Sequence, residues 1–361
     1  MGKQPWLNIL AGTVAPEVRE LGFAEALESP CATCKTAPCC TYLPLHRFPV
    51  DTMLALDHAR YLLNFDRIEL GMAASGEWSA YYRFPCRHLE RATFRCTVHD
   101  TAAQPDICKN FNPYACWYKR ALRSPVSDGF LRIDRPRIEY IVERTVFDEQ
   151  RNIVAVPSWD ELSEAFRTMP CDEQSYDEAE IGKDVVLDRW REQVISAASL
   201  TRKERNEPEP RTVGYDDLDE PCTDCAAWCC STLVFPHGFP STRTNLDYLR
   251  FTLGFPGIEV GVHDGGWSII VKTRCRHLRG NRCGVFGKPE RPLLCRYYDA
   301  HACAYKVHFG EERPAGYVRV RLEEFSTLAG LFRFDPSGAV VELPAAERVR
   351  TAIETSWCQP A

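Results

Sequence analysis

Several features are missing from this 361-residue chain, and each absence removes a class of function. No apolar run approaches the ~20 residues that a membrane-spanning helix needs, so no membrane association is expected. There is no basic excess: the net charge is −6, whereas a nucleic-acid partner usually leaves a clear positive balance. No nucleic acid is therefore expected. The opening residues, MGKQPWLNILAGTVAPE, lack the charged, apolar, then small layout of a secretory signal. Trp6 stands where an N-myristoylation motif has Ser or Thr. No G-x-G-x-x-G follows a strand to cradle a nucleotide. No Ser-His-Asp set or catalytic carboxylate pair stands out.

What the chain has is cysteine, eighteen of them. With a cytoplasmic location expected, disulfides are disfavoured, and clustered thiols point to metal binding or redox chemistry. The competing reading is a secreted disulfide scaffold.

The cysteines repeat. Cys31, Cys34, Cys39 and Cys40 recur as Cys222, Cys225, Cys229 and Cys230. Cys86, Cys96, Cys108 and Cys116 recur as Cys275, Cys283, Cys295 and Cys303, and Cys171 as Cys358. The offset drifts only from 191 to 187. Asp57, Arg60 and Glu69 return as Asp247, Arg250 and Glu259, and Arg87-His88-Leu89 as Arg276-His277-Leu278. Repeats of this kind mark duplicated units. The expected organisation is a first cysteine-cluster unit at 22–171, an acidic and helical linker at 172–212, and a second unit at 213–358. Within the linker, Val186, Trp190, Val194 and Ala198 recur at helical spacing.

Local signals predict an α+β class: two tandem pseudo-symmetric cysteine-rich metal-binding units. Each has short helices, antiparallel strands and long Cys-bearing loops. A helix follows the first four cysteines of each unit, with Asp51 and Thr242 as N-caps and Asn64 and Gly254 suited to a left-handed C-cap. A strand leads to Cys86 or Cys275. Residues 129–157 read as two or three antiparallel strands. Asp335-Pro336-Ser337-Gly338 marks a hairpin. Ser158 with Glu161 predicts a capping box, and Pro344 suits a first helical turn.

Thiolates are soft donors that bind zinc, iron and iron–sulfur clusters well. The candidate metal ligands are therefore Cys31, Cys34, Cys39, Cys40, Cys86, Cys96, Cys108 and Cys116, with Cys222, Cys225, Cys229, Cys230, Cys275, Cys283, Cys295 and Cys303. Adjacent side chains diverge on an extended chain, so of Cys39 and Cys40 one is expected at the main site and the other at a second site or as a buried thiol. One four-cysteine site per unit with spare thiols, or two sites, both fit. Neither the bacterial ferredoxin spacing nor a second C-x2-C of a zinc ribbon is present. Either an iron–sulfur cluster, [4Fe–4S] favoured, or zinc fits. Arg87, Arg95 and Lys109, with Arg276, Arg282 and Arg296, are candidates to offset cluster charge, or are solvated surface. His88 and His277 are candidate ligands or supports, or ordinary hydrogen-bonded histidines. His99 is replaced by Phe286 and cannot serve both units. Asp57, Arg60 and Glu69 read best as helix salt bridging and turn capping.

The order C-x2-C-x(3,4)-C-C, C-x2-L, C-x-V, P-x2-C-[KR]-x-[FY] resembles the CxxCxxCC, or YkgJ-like, cysteine cluster family. The matching residues run from Cys31 to Phe111 and from Cys222 to Tyr298. The resemblance implies bound zinc or iron and a redox, metal-handling or accessory role, with an unidentified protein partner left open. The chain departs from the pattern by duplicating it and by adding Cys116, Cys171 and their counterparts. A flagellin lysine-N-methylase shares the cysteine order, which implies an alternative, a protein- or peptide-modifying enzyme; no C-x3-C-x2-C of the radical-SAM type is present. A zinc-stabilised interaction module is the third reading. Cys34→Ser is expected to cost the first unit its metal and leave the second loaded.

Overall fold

The computed structural model describes residues 34, 37–111, 113–122, 124–172, 225–298, 303–310 and 316–357. Cys31, Cys222, Cys358 and the linker from residue 173 onward, with its expected helix, lie outside these residues.

The first half runs β1 (Tyr42–Phe48), α1 (Met53–Leu62), β2 (Ile68–Ala73), β3 (Trp78–Arg83), β4 (Leu89–Glu90), β5 (Arg95–Cys96), α2 (Asp106–Lys109), α3 (Trp117–Ala121), β6 (Val126–Ser127), β7 (Phe130–Ile133), α4 (Arg135–Arg144), β8 (Val146–Phe147), β9 (Ile153–Ala155) and α5 (Trp159–Thr168). The second half runs α6 (Trp228–Ser231), β10 (Thr232–His237), α7 (Arg243–Leu253), β11 (Ile258–His263), β12 (Gly266–Lys272), β13 (Leu278–Arg279), β14 (Arg282–Cys283), α8 (Leu293–Tyr297), β15 (Tyr317–Val320), α9 (Phe325–Ala329), β16 (Arg333–Phe334), β17 (Val340–Glu342) and α10 (Ala346–Trp357). The class is α+β. One antiparallel sheet has the order β1-β3-β2-β7-β6 and the other β10-β12-β11-β15. Among the described residues no helix is long and apolar enough to cross a membrane.

The main apolar core draws on both sheets and on α1 and α7, including Leu62, Leu70, Leu131, Leu249, Phe255 and Val271. Hydrogen bonds cross the same boundary. Tyr82 Oη donates to the Pro256 carbonyl at 3.0 Å, and the Asp66 N–H to that of Arg274 at 2.9 Å. Gly71 and Gly261 sit at matching points of β2 and β11 because an aromatic ring covers each, that of Phe130 or Tyr317; a Cβ would collide with it. Beside them lies a buried charged layer. Arg132 grips Glu69 through Nε and Nη2 at 2.5 and 2.8 Å and donates to Tyr42 Oη at 3.1 Å. Burial and the Glu69 charge push the Tyr42 phenol up to about 12. Glu259 stands between Lys272 at 3.9 Å and Arg319 at 3.8 Å.

Four local expectations need correction. The N-cap of α1 is Thr52, not Asp51: its side chain accepts from the Ala55 N–H at 3.2 Å, as Thr242 does from Asn245 at 3.1 Å. Neither Asn64 nor Gly254 is left-handed; Gly254 has φ −63°, and the positive φ falls three residues later, at Arg67 (67°) and Gly257 (81°). Residues 129–157 contain a helix, α4, between strands. Asp134 caps it by accepting from the Arg137 N–H at 3.3 Å, and a proline occupies its first turn. Pro344 precedes the first residue of α10, and that helix start is held by Asp264, whose carboxylate accepts from the Ala346 N–H at 2.8 Å. The Asp335 turn forms as expected, its carboxylate accepting from Ser337 and Ala339 at 2.9 Å. Ser158 caps α5, its side chain accepting from the Glu161 N–H.

Candidate thiol sites

Each site begins with a tight helical turn. Pro38–Cys40 forms a 3-10 turn entered through Ala37 at φ 35°, and α6 is entered through Ala227 at φ 55°. The chain is therefore not extended at the paired cysteines, and the divergence expected of an extended strand does not apply. Cys39 and Cys40 point their sulfurs to within 4.0 Å of each other.

Backbone hydrogen bonds then bring in the remaining thiols. The Cys86 N–H donates to the Cys40 carbonyl at 2.7 Å, and the Cys275 N–H to that of Cys230, also at 2.7 Å. Leu89 and Leu278 close the next turn onto Cys86 and Cys275, both at 3.0 Å. Those leucines pair with Cys96 and Cys283 across the β4–β5 and β13–β14 hairpins. Cys108 and Cys295 ride on the one-turn helices α2 and α8.

The thiols feel one another. Burial first, then charge on Cys39, Cys86 and Cys96, holds Cys108 well above the ordinary thiol range. Burial pushes Cys86 up to about 11 and also raises Cys96. Within the turn, a hydrogen bond from Cys40 lowers Cys39, and the same contact with burial raises Cys40. The second half matches. Cys230 lies within hydrogen-bonding reach of Cys229 and Cys275 and is raised while both of them are lowered. Burial pushes Cys295 up to about 12 and raises Cys283. Two groups of five are thus gathered: Cys39, Cys40, Cys86, Cys96 and Cys108, and Cys229, Cys230, Cys275, Cys283 and Cys295.

The remaining described cysteines lie around these groups, Cys116 and Cys225 within electrostatic reach of them. Cys116 is buried and feels Cys34 and Cys39. Cys303 accepts from Tyr298 Oη and from the Lys306 N–H, both at 3.4 Å. Cys225 feels Cys229. Cys171 is exposed. Among the described residues, no three His, Cys, Asp or Glu side chains already stand in a geometry that could hold a metal ion. His88 and His277 are lowered, chiefly by burial, with Arg87 or Arg135 adding to it. Of the expected cations, Arg87 pairs with Glu323 at 3.0 Å, Lys109 with Asp106 at 3.8 Å and Arg276 with Asp172 at 3.7 Å.

Residues outside the predicted ligand set also face the thiols. Arg291 donates to the Cys295 carbonyl at 2.7 Å, and its charge favours the thiolates of Cys229, Cys283 and Cys295. Its counterpart by repeat is Gln104, so a search for recurring residues passes over it. Tyr61 donates to the Cys229 carbonyl at 3.4 Å and feels Cys230 and Cys295. Tyr118, 1% exposed, packs in the apolar cluster that Cys39 joins and feels Cys108, and its Oη has no hydrogen-bond partner among the described residues.

Comparison with protein-family models, with curated proteins and with solved structures finds no match. What the sites can bind is set by their donors. Five mostly half-buried thiols in each half, joined in the first by a buried phenol without a partner among the described residues, suit a soft cation or an iron–sulfur cluster. A buried polar atom without a partner normally marks a missing one.

Proposed function

We propose that the chain is a tandem duplication of one cysteine-rich α+β unit, at 22–171 and 213–358, and that each unit holds an iron–sulfur cluster or zinc for a redox, metal-handling or accessory role in the cytoplasm. One observation carries this reading. Separate stretches of chain gather Cys39-Cys40, Cys86, Cys96 and Cys108 into mutual electrostatic reach, and the second half repeats the gathering with the same backbone bonds. Protonated, crowded thiols gain little from one another, whereas a cation at their centre converts the repulsion between thiolates into attraction.

Cys39, Cys40, Cys86, Cys96 and Cys108 would hold the group in the first unit, and Cys229, Cys230, Cys275, Cys283 and Cys295 in the second. A cluster would supply one-electron chemistry and zinc a charged structural anchor. The protein's part is to bury the sulfurs, keep water away and surrender thiol protons as the ligand enters. Tyr118 and Arg291 would support the bound group with a hydroxyl and a positive charge.

The test is Cys108→Ser in anaerobically purified protein, with iron and zinc measured per chain. Loss of about half the parent's metal is expected, since one of two equivalent sites then lacks a thiolate ligand. Unchanged metal content would remove Cys108 from the site.

A further inference from the structure

Each half lends its carboxylate to the other half's site. The helices α2 and α8 carry Cys108 and Cys295. Their N-caps, Pro105 and Pro292, make no side-chain capping bond. The missing acceptors arrive from across the molecule. The Leu293 N–H donates to Asp57 Oδ2 at 2.6 Å, and the Asp106 N–H to Asp247 Oδ2 at 2.5 Å. Asp57 belongs to α1 of the first half and Asp247 to α7 of the second. Each capped residue lies two positions before its cysteine.

The C-terminal ends of the same helices are crossed too. The Arg87 N–H donates to the Gly254 carbonyl at 2.8 Å, and the Arg276 N–H to that of Asn64 at 2.7 Å. These arginines follow Cys86 and Cys275 directly. Arg250 adds bonds from Nη1 to Ala102 at 2.9 Å and from Nη2 to Gln104 at 3.2 Å, fixing the approach to α2. Both carboxylates also pair with the arginine three residues along their own helix, Asp57 with Arg60 and Asp247 with Arg250. An intrahelical role alone would act within one half. The capping bonds act across halves.

We propose that Asp57 and Asp247 are positioning residues acting in trans: Asp57 sets the place of Cys295 and Asp247 that of Cys108, so damage to one half is read out in the other half's site. This rests on the thiol-site reading above. A side-chain acceptor at a helix N-terminus orders its first turn, and a one-turn helix has little else to hold it. The symmetry of the exchange makes the effect of each substitution the mirror of the other.

The experiment uses the full-length, anaerobically reduced chain titrated with zinc. Free thiols are then alkylated and each cysteine is read by peptide mass mapping. In Asp57→Ala, protection of Cys283 and Cys295 should need roughly tenfold more zinc, on the scale of a lost N-cap. Cys96 and Cys108 should be protected as in the parent. Asp247→Ala should give the reverse pattern. Asp57→Asn, which keeps an acceptor, should restore most of the protection. Loss confined to the substituted half, or equal loss in both halves, would overturn the proposal. If zinc protects no cysteine in the parent, the metal reading fails by itself. The trans arrangement is then decided by alkylation rates without metal: faster reaction at Cys295 but not at Cys108 in Asp57→Ala supports it, and equal rates refute it.

Discussion

The Cys86 sulfur packs against the bare Cα of Gly254; a Cβ at that position would stand 3.3 Å from Sγ and 3.0 Å from the Phe251 carbonyl oxygen. Gly254 has an ordinary helical conformation, so a side chain there is crowded by its neighbours and not opposed by backbone strain. At an open helical position Gly→Ala stabilises by about 0.4–1 kcal/mol. Here the sign should reverse, with Gly254→Ala costing about 1–2 kcal/mol by overpacking. The substitution lies in the second half of the sequence, yet the thiol it should expose to alkylation is Cys86. Chemical denaturation and the alkylation rate of Cys86 check both parts.

The Glu69–Arg132 pair is mostly buried, with side-chain exposures of 12% and 20%. Arg132→Met leaves the carboxylate with Arg83, at 3.9 Å, as its remaining cation among the described residues. A loss of about 2–3 kcal/mol is expected, below the full cost of a broken buried pair because some solvent reaches the site. The double variant Glu69→Leu/Arg132→Met should recover much of it. A double variant no more stable than Arg132→Met would count against a stranded charge as the cause.

Burial lowers the His237 imidazole to about 4 from an ordinary value of 6.5. A group depressed on folding contributes stability that is present above 6.5 and is lost as pH falls toward 4. The loss should approach about 3 kcal/mol at the acid end of that window. Unfolding free energies measured at pH 7 and at pH 4.5 should differ less in His237→Gln than in the parent. An unchanged difference would place the acid sensitivity elsewhere.

Tyr118→Phe removes a buried hydroxyl that has no partner among the described residues. In metal-free protein the change should be neutral or stabilise by up to about 1 kcal/mol, because an unsatisfied polar group is costly to bury. In loaded protein the same change should speed metal release to a chelator. A variant less stable without metal and unaltered in release would mean that the hydroxyl serves the fold alone.

Much of the molecule was legible from pattern. The strand before Cys86 reads from its aromatic and β-branched run, and the β16–β17 hairpin from Asp335 to Gly338, because both signals are local. Helix α4 has a weak sequence signature because Phe130–Ile133 reads as strand and the helix start follows at once; Asp134 and the proline after it are its local signals. The convergence of thiols around Cys40 follows from recurring cysteines, but the 4.0 Å approach of Cys39 to Cys40 needs a helical turn that spacing does not specify. Asp57 reads, with Arg60 and Glu69, as helix salt bridging and turn capping. That it caps a helix 236 residues away has no local signature at all, since only the docking of the two halves creates the contact.

The account stands most directly on the metal content of freshly and anaerobically purified protein, read together with its visible spectrum. It predicts iron or zinc in at least two equivalents per chain, with a broad absorption band that bleaches on reduction if the metal is iron. Protein containing neither metal, with its cysteines mapped as disulfides, would contradict it.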